Sequence, residues 1–362
     1  MTRRLAILAN NGDIGGGEVM LLAMATAARD AGHDVTVVAP QTPDGVVRAA
    51  AERGFPVVAI HGTGRRAYMA GLRRWARREH PGLLWCNGLV PALATAGLRG
   101  RVVHLHLAPS GPQRLAVRVA SAGALAVLVP SAHLAASIPR ATVFPNWTGP
   151  IPPTAHDLDF AEEVVLGFLG RVYLGKGVGV LAEAVARLNE TSTRHYRLLL
   201  SGEARFADAA QQSATEAALR PISDELVRTG WSPPEQFFSS VDLAVFPSLV
   251  PETFGLVVAE AMATGCPFVI SDSGALVEVA GASHRFVAPA GDVAALAEAI
   301  EAAIAGYRPP DLAAAQRRWS ELYSPAAGSR RMAEILASLP SAAPSRRRAR
   351  TAGGDRLGRS GS

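Results

Sequence analysis

The chain has 362 residues, of which 49% are hydrophobic and 19% charged, the composition of a soluble globular protein with room for two compact domains. Its net charge of +5 and pI near 9.7 invite a nucleic-acid reading until the charge is located. Residues 340–362 carry Arg346, Arg347, Arg348, Arg350, Arg356 and Arg359 against Asp355, so the remainder is close to neutral and no nucleic-acid partner is expected.

That Pro, Ser, Gly and Arg-rich end has no apolar periodicity and reads as a basic disordered tail, with weak attraction to anionic lipid or nucleic acid as the alternative. Cys86 and Cys266 lie in separate apolar runs without metal or redox neighbours and are expected to be reduced and buried. No apolar run reaches the ~18 residues of a membrane span, and no signal core precedes the first strand; a cytoplasmic location is expected.

In chain order, RLAILAN (Arg4 to Asn10) is an apolar run, followed by a glycine-rich turn and by GEVMLLAMATAARDAG, whose apolar residues recur at helical spacing. HDVTVVAP is the next strand. PVVAI, LLWCN, RVVHLHL, ALAVLVP and ATVFPN follow, with helical or polar segments between most of them. Continuous apolar strands alternating with helices predict an α/β domain with a parallel sheet covered on both faces. This first domain is assigned to residues 1–148. Residues 149–163, in the proline-rich WTGPIPPTAHDLDFAEE, read as a linker. The alternation restarts in 164–324 with VVLGFLGR, YRLLLSGE, ELVRTGW, DLAVFPS, PFVISDS and HRFVAP. Two doubly wound Rossmann-like domains facing across a cleft are predicted, with ligands at the carboxyl ends of the strands. PAAGSRRMAEILASL, residues 325–339, is a last helix.

Lys176 is the only lysine; the other 35 basic residues are arginine. It sits in GRVYLGKGVG, between the strand ending near Arg171 and the helix KGVGVLAEAVARLNE. Arginine and lysine beside glycine amides at such a turn form a place for phosphate oxygens. In an arginine-biased chain a lysine suggests a site that needs a compact point charge; an accidental surface lysine is the bland reading. The stretch FPSLVPETFGLVVAEAMATGCP places Glu252 in a turn and Glu260 eight residues on, inside an apolar helix. An unpaired carboxylate there is costly, so Glu260 needs donors such as two adjacent ribose hydroxyls, or else an arginine at the helix surface.

These residues, with GWSPPEQFFSSVDLAVFPS, SDSGALVEV and PAGDVAALAEAI, resemble the nucleotide-sugar domain of glycosyltransferase family 4, retaining enzymes of the GT-B fold. The first half matches more weakly, through GGGE (Gly15 to Glu18), HLH (His104 to His106) and PN (Pro145, Asn146). The resemblance implies a nucleotide-diphosphate sugar donor and no metal or other cofactor. Arg171 and Lys176 would hold the diphosphate and neutralise the leaving group, and Glu252 would bind hydroxyls of the transferred sugar. Thr253, Phe254, Gly255 and Leu256 would supply the helix start beside the donor, Gly202 would join them, and Glu260 would bind ribose. His106, and with it His104, would face the acceptor hydroxyl across the cleft. Gly15, Gly16 and Gly17 would let the first loop approach the diphosphate or acceptor closely, since glycine has no Cβ and tolerates positive φ. Glu18 would orient the acceptor, or serve as a first-turn acid. In the family the last helix crosses back to the first domain.

Three departures from the family pattern stand out: Leu107 where Asp often follows the histidine, Ser201–Gly202–Glu203 in place of a double glycine, and Ala275 after Gly274. Asp157 and Asp159 spell a DxD but fall in the linker, and no histidine shows a zinc spacing. Arg66, Arg73, Arg74, Arg77 and Arg78 form a basic band, read as a solvated helix face in preference to a peripheral membrane surface. Family usage favours a uridine donor carrying N-acetylglucosamine or glucose over GDP-mannose. The compact first half would suit a small cyclitol, aminocyclitol or secondary-metabolite aglycone as acceptor, in preference to a lipid or glycan. A nucleotide-sugar epimerase and a non-catalytic sugar-nucleotide-binding protein are the alternatives.

Overall fold

The computed structural model describes residues 2–79, 82–203 and 208–340. Residues 341–362 of the basic tail lie outside the described residues, as does His80 at the end of the basic helix.

The first sheet holds β1 (Arg4–Leu8), β2 (Asp34–Pro40), β3 (Val57–Ile60), β4 (Leu83–Asn87), β5 (Arg101–His104), β6 (Ala126–Val129) and β7 (Thr142–Val143). Its order is β3-β2-β1-β4-β5-β6-β7, parallel throughout. The second holds β8 (Glu163–Leu169), β9 (His195–Ser201), β10 (Leu226–Gly230), β11 (Leu243–Phe246), β12 (Phe268–Ser271) and β13 (Val287–Ala288), in the order β10-β9-β8-β11-β12-β13. It too is parallel. Strands such as LAIL in β1 and LAVF in β11 are buried on both faces because helices cover both, which is why they read as unbroken apolar runs. The order reverses between β1 and β4 and again between β8 and β11. The loops leaving those strands therefore open into a crevice in each domain.

Residues 144–162 contain neither helix nor strand, and they are pinned rather than loose. Thr154 N donates to Thr264 O (2.8 Å), and Trp319 Nε1 donates to Thr148 Oγ1 (3.0 Å). The last helix, Pro325–Ser338, leaves the second domain and packs on the first helix, Gly16–Asp30, its Met332 and Leu336 joining that core. A glycine is required at 328, because a Cβ there would lie 2.2 Å from the Trp147 ring. Arg331 seals the crossing by donating to the carbonyl oxygens of Leu322 (2.6 Å) and Pro145 (3.2 Å). A second tie joins the domains: the Glu278 carboxylate accepts from the backbone N–H groups of Ala132 (2.8 Å) and His133 (3.0 Å).

Arg101, which opens β5, is fully buried. Its guanidinium donates to the carbonyls of Leu98, Ala92, Ala120 and Ala122, at 2.7–3.3 Å, and burial lowers its pKa. The charge is held by carbonyls at the ends of the helices Leu89–Ala94 and Gln113–Ser121. Arg101→Met would leave several of those carbonyls dry and unpaired. We expect a loss of about 3 kcal/mol or more of stability, read as a lower urea midpoint.

The basic helix, Gly64–Glu79, buries Tyr68, Leu72 and Ala76. It does not present one continuous basic band. Arg73 turns inward to cap the neighbouring helix, donating to Ala94 O (2.9 Å) and Ala96 O (3.0 Å), because unsatisfied terminal carbonyls lie within its reach. Among the described residues no helix is long and apolar enough to cross a membrane. Cys86 and Cys266 are free and buried, and burial pushes the Cys86 thiol up to about 11.

Candidate active site

The crevice of the second domain is built from the loops after β8 and β11. After β8 the chain makes a short 3-10 turn, Leu174–Lys176, and enters the helix Val178–Thr191 through Gly177. Gly177 has φ +78, and a Cβ there would lie 1.8 Å from Pro247 O, so the two loops touch backbone to backbone. Gly175 O accepts from Leu249 N (3.0 Å) and Val250 N (3.1 Å), stapling them further. The β11 loop is braced from its other side. A Cβ at Gly274 would fall 2.3 Å from the Glu252 backbone, and Ala275 N donates to Glu252 O (2.8 Å).

This bracing sets Lys176 against Glu252. Lys176 Nζ donates to Glu252 Oε1, and Ser248 Oγ donates to the same oxygen (3.1 Å). Both side chains are less than one-fifth exposed, so the pair is shielded yet open on one side. Sequence reading assigns the two residues to different parts of a ligand; the structure brings them together as an ion pair. Arg171, five residues earlier, is exposed and lies over the Tyr173 ring, 5.5 Å from its centroid.

The helix Leu256–Thr264 begins one residue after Gly255, which takes a left-handed conformation (φ +95) as its N-cap. Phe254 is buried edge-on to Tyr323; Thr253 and Leu256 are partly exposed. Glu260, one turn into this apolar helix, meets no hydrogen-bond donor or cation among the described residues, and burial pushes its carboxyl up to about 7. Among the described residues no arginine at the helix surface pairs with it. Gly202 follows β9 and packs against Gly170, where a Cβ would meet Gly170 O at 1.8 Å.

The facing wall comes from the first domain. Gly16 and Gly17 form the first turn of the first helix, and Gly15, its N-cap, is extended. None of the three has positive φ, so of the two properties of glycine expected to matter only the close approach is used. Their value is the missing Cβ: one built on Gly16 would lie 3.7 Å from Leu256 of the second domain, and one on Gly17 would lie 3.9 Å from the His106 ring. Glu18 does not face an acceptor. It is buried and its carboxyl turns back to backbone groups of Asn11, Gly15 and itself, while burial still raises its pKa. The first-turn reading applies, because amides at the helix start compete for it.

His106 stands just beyond the end of β5 and is partly exposed. Burial lowers its pKa to about 4, so it is neutral at pH 7. Its Nε2 lies 2.7 Å from Asn87 Oδ1. His104 is a different case: it is completely buried among Trp85, Phe144 and His106, and burial holds its pKa well below the ordinary range. It belongs to the core under the site, since residue 104 falls within the strand and residue 106 beyond it. Leu107, in place of the expected acid, is the most exposed large apolar residue among those described.

Among the described residues no cluster of three or more His, Cys, Asp and Glu side chains could hold a metal ion. Asp157 and Asp159 form a local turn in which Asp157 Oδ1 accepts from Asp159 N (2.9 Å). Sequence reading missed Ser248, Glu278 and Asn87. Only Asn87 carried a signal, as a polar residue ending an apolar strand at the reversal of strand order.

Two facing doubly wound domains, joined by a pinned linker and a returning helix, with a lysine–carboxylate pair in the second crevice, define the GT-B class of glycosyltransferase. The sequence model described as Glycosyl transferases group 1 matches residues 163–305, and that of Glycosyltransferase Family 4 matches residues 14–148. The two together take in most of the chain, which belongs to this family of glycosyltransferases.

Among solved structures the fold is similar to HepE of Anabaena in complex with UDP-glucose, with a TM-score of 0.78 and 21% identity over 93% of this chain and 100% of that one. It is also similar to sucrose-phosphate synthase of Thermosynechococcus elongatus, with a TM-score of 0.77 and 17% identity over 92% and 98%. In sequence, the lipopolysaccharide 1,2-N-acetylglucosaminetransferase of Salmonella typhimurium is 31% identical over 129 residues, 33% of this chain and 34% of that protein. The D-inositol 3-phosphate glycosyltransferase of Corynebacterium efficiens is 35% identical over 117 residues, 31% and 27%. The matches thus span about a third of these relatives' length.

Proposed function

We propose that the protein is a retaining, metal-independent glycosyltransferase that moves a hexosyl group from a nucleotide-diphosphate sugar to an acceptor hydroxyl. The observation that carries this reading is the arrangement along one crevice of Lys176, Glu252 and the unpartnered Glu260. The first is a cation for the diphosphate, the second a carboxylate for sugar hydroxyls, and the third a carboxylate that lacks the two donors a ribose would bring. Ionised carboxylates accept such hydrogen bonds at roughly 1.5–3 kcal/mol each. Arg171 joins Lys176 when its exposed side chain folds over the diphosphate, and their charge stabilises the leaving group.

His106 lies across the cleft beside Gly17, where it would face an acceptor or sugar hydroxyl. Closure of the domains would exclude water from the transfer. Retention follows if the departing phosphate takes the acceptor proton on the same face, with no covalent intermediate. A uridine donor carrying glucose or N-acetylglucosamine is favoured because HepE was solved with UDP-glucose and the Salmonella relative is named for N-acetylglucosamine. The relative named for D-inositol 3-phosphate favours a cyclitol-like acceptor over a lipid or glycan.

The test is turnover of UDP-glucose, UDP-N-acetylglucosamine and GDP-mannose against a panel of cyclitols and aminocyclitols, with the product's anomeric configuration read by proton NMR. A UDP-sugar is expected to give an α-linked product. A β-linked product would overturn retention, and isomerised donor without acceptor would mark an epimerase.

A further inference from the structure

Asn87 ends β4 at the point where the strand order reverses, directly beneath the glycine turn of the first helix. Its side chain is fully buried and spans two partners. Asn87 Nδ2 donates to Gly17 O (2.9 Å), and Asn87 Oδ1 lies 2.7 Å from His106 Nε2. A backbone carbonyl can only accept, so the NH₂ end of the amide must face Gly17. The oxygen end then faces His106, and an oxygen so placed requires a proton on Nε2. In the neutral ring this leaves Nδ1 as a lone pair. Nδ1 is buried, and no described residue offers it a hydrogen bond.

We propose that Asn87, locked by the Gly17 carbonyl, is a positioning residue that fixes His106 in its Nε2–H tautomer, so that Nδ1 accepts a hydrogen bond from a substrate hydroxyl. The inference rests on the transferase reading for the identity of that hydroxyl, as a group of the sugar or of the acceptor. It adds a rule of selection: the ligand group at Nδ1 must carry a proton, and a phosphate or carboxylate oxygen is rejected there by lone-pair repulsion. A buried acceptor without a donor is unfavourable by about 1–3 kcal/mol, which the substrate hydroxyl relieves.

Other charges do not set this tautomer. His104, on the same strand, is neutral and 4.2 Å away ring to ring. On the first helix the Glu18 carboxyl is turned to the backbone, on β4 Cys86 points to the opposite face of the sheet, and across the cleft Leu256 carries no charge.

Two measurements test the inference. The first is two-dimensional ¹⁵N–¹H NMR of imidazole-labelled wild-type protein, which reads the tautomer without substrate. His106 is expected as Nε2–H between pH 5.5 and 8; an Nδ1–H ring, or rapid exchange between both, would overturn the proposal. The second is kcat at saturating donor across pH for Asn87→Asp and Asn87→Leu. The Asp carboxylate keeps the Nε2 proton but favours the charged ring. It should therefore keep more turnover at pH 8 than Asn87→Leu, though less than the wild type because the donor to Gly17 O is lost, and move the acidic limb upward by about one unit or more.

Asn87→Leu releases the ring and should lower kcat about tenfold or more at every pH, with donor KM changed less than about twofold. Equal losses in both variants, with the limb unmoved, would show a merely structural residue. If no nucleotide sugar is turned over at all, the transferase reading fails while the NMR result still decides the tautomer.

Discussion

Glu252→Gln is expected to raise affinity for a nucleoside diphosphate while nearly abolishing sugar transfer, and Lys176→Ala is expected to lose both. In the structure the Lys176 ammonium already has an anion, the Glu252 carboxylate, which Ser248 holds in place. An incoming diphosphate must draw Lys176 away from it. Glu252→Gln removes that competitor and leaves the phosphate's cation free, so binding of UDP should tighten a few-fold. The sugar then lacks its charged acceptor, and kcat should fall by about 10²–10³.

Lys176→Ala removes the cation and leaves Glu252 partly buried without its partner. UDP affinity should fall about 10–100-fold, the equivalent of one charge-assisted bond. Because the two residues touch, their effects will not add, and the double variant should bind UDP more tightly than Lys176→Ala alone. Calorimetric titration of UDP into the four proteins gives the result. If Glu252→Gln weakened UDP binding as much as Lys176→Ala, the competition between carboxylate and diphosphate would be wrong.

Glu260→Gln should stabilise the empty protein at pH 8 and destroy its affinity for nucleotide. The carboxyl titrates near 7 in the folded chain against an ordinary value of 4.5. Between those values the folded state holds a proton that the unfolded state has lost. Stability therefore declines as pH rises from 4.5 to 7, and the loss is complete above that. Glutamine cannot ionise and escapes it. We expect a gain of about 1–3 kcal/mol at pH 8, and none at pH 4.5, seen as a higher thermal midpoint.

Two ribose hydroxyls would donate to the ionised carboxylate, and losing both charge-assisted bonds should weaken donor binding by about 100-fold or more. In the wild type the same ionisation makes donor affinity increase with pH through 7. This trade of stability for binding is common where a site leaves a group unpartnered until its ligand arrives. A Glu260→Gln protein that bound UDP normally would remove the ribose role.

The reach of the sequence differed between the two halves. Buried parallel strands announce themselves as apolar runs, so β1, β8 and β11 and their turns were visible, and with them the crevices. Lys176 stood out because every other basic residue is arginine, and Glu260 because a carboxylate in LVVAEAMA has no apolar reason to be there. What lay beyond reach was set by side chains meeting across long separations.

Glu252 and Lys176 are 76 residues apart, and their ion pair depends on two glycines, Gly177 and Gly274, that let backbones touch. Glu18 was open between two readings because a first-turn carboxylate can face either backbone or solvent, and local amides decided it. His104 and His106 share a face, as strand alternation requires, yet β5 ends between them and burial separates a core residue from a site residue. Arg101 resembles any surface arginine until the helix ends around it are placed.

Whether the crevice between β8 and β11 binds a nucleotide-diphosphate sugar is decided by calorimetric titration of UDP-glucose, UDP-N-acetylglucosamine and GDP-mannose into the wild-type protein at pH 8, repeated with Glu260→Gln. One-to-one binding of a UDP-sugar is expected, weakened at least about 100-fold by Glu260→Gln. No binding of any of the three, or binding that Glu260→Gln leaves unchanged, would contradict it.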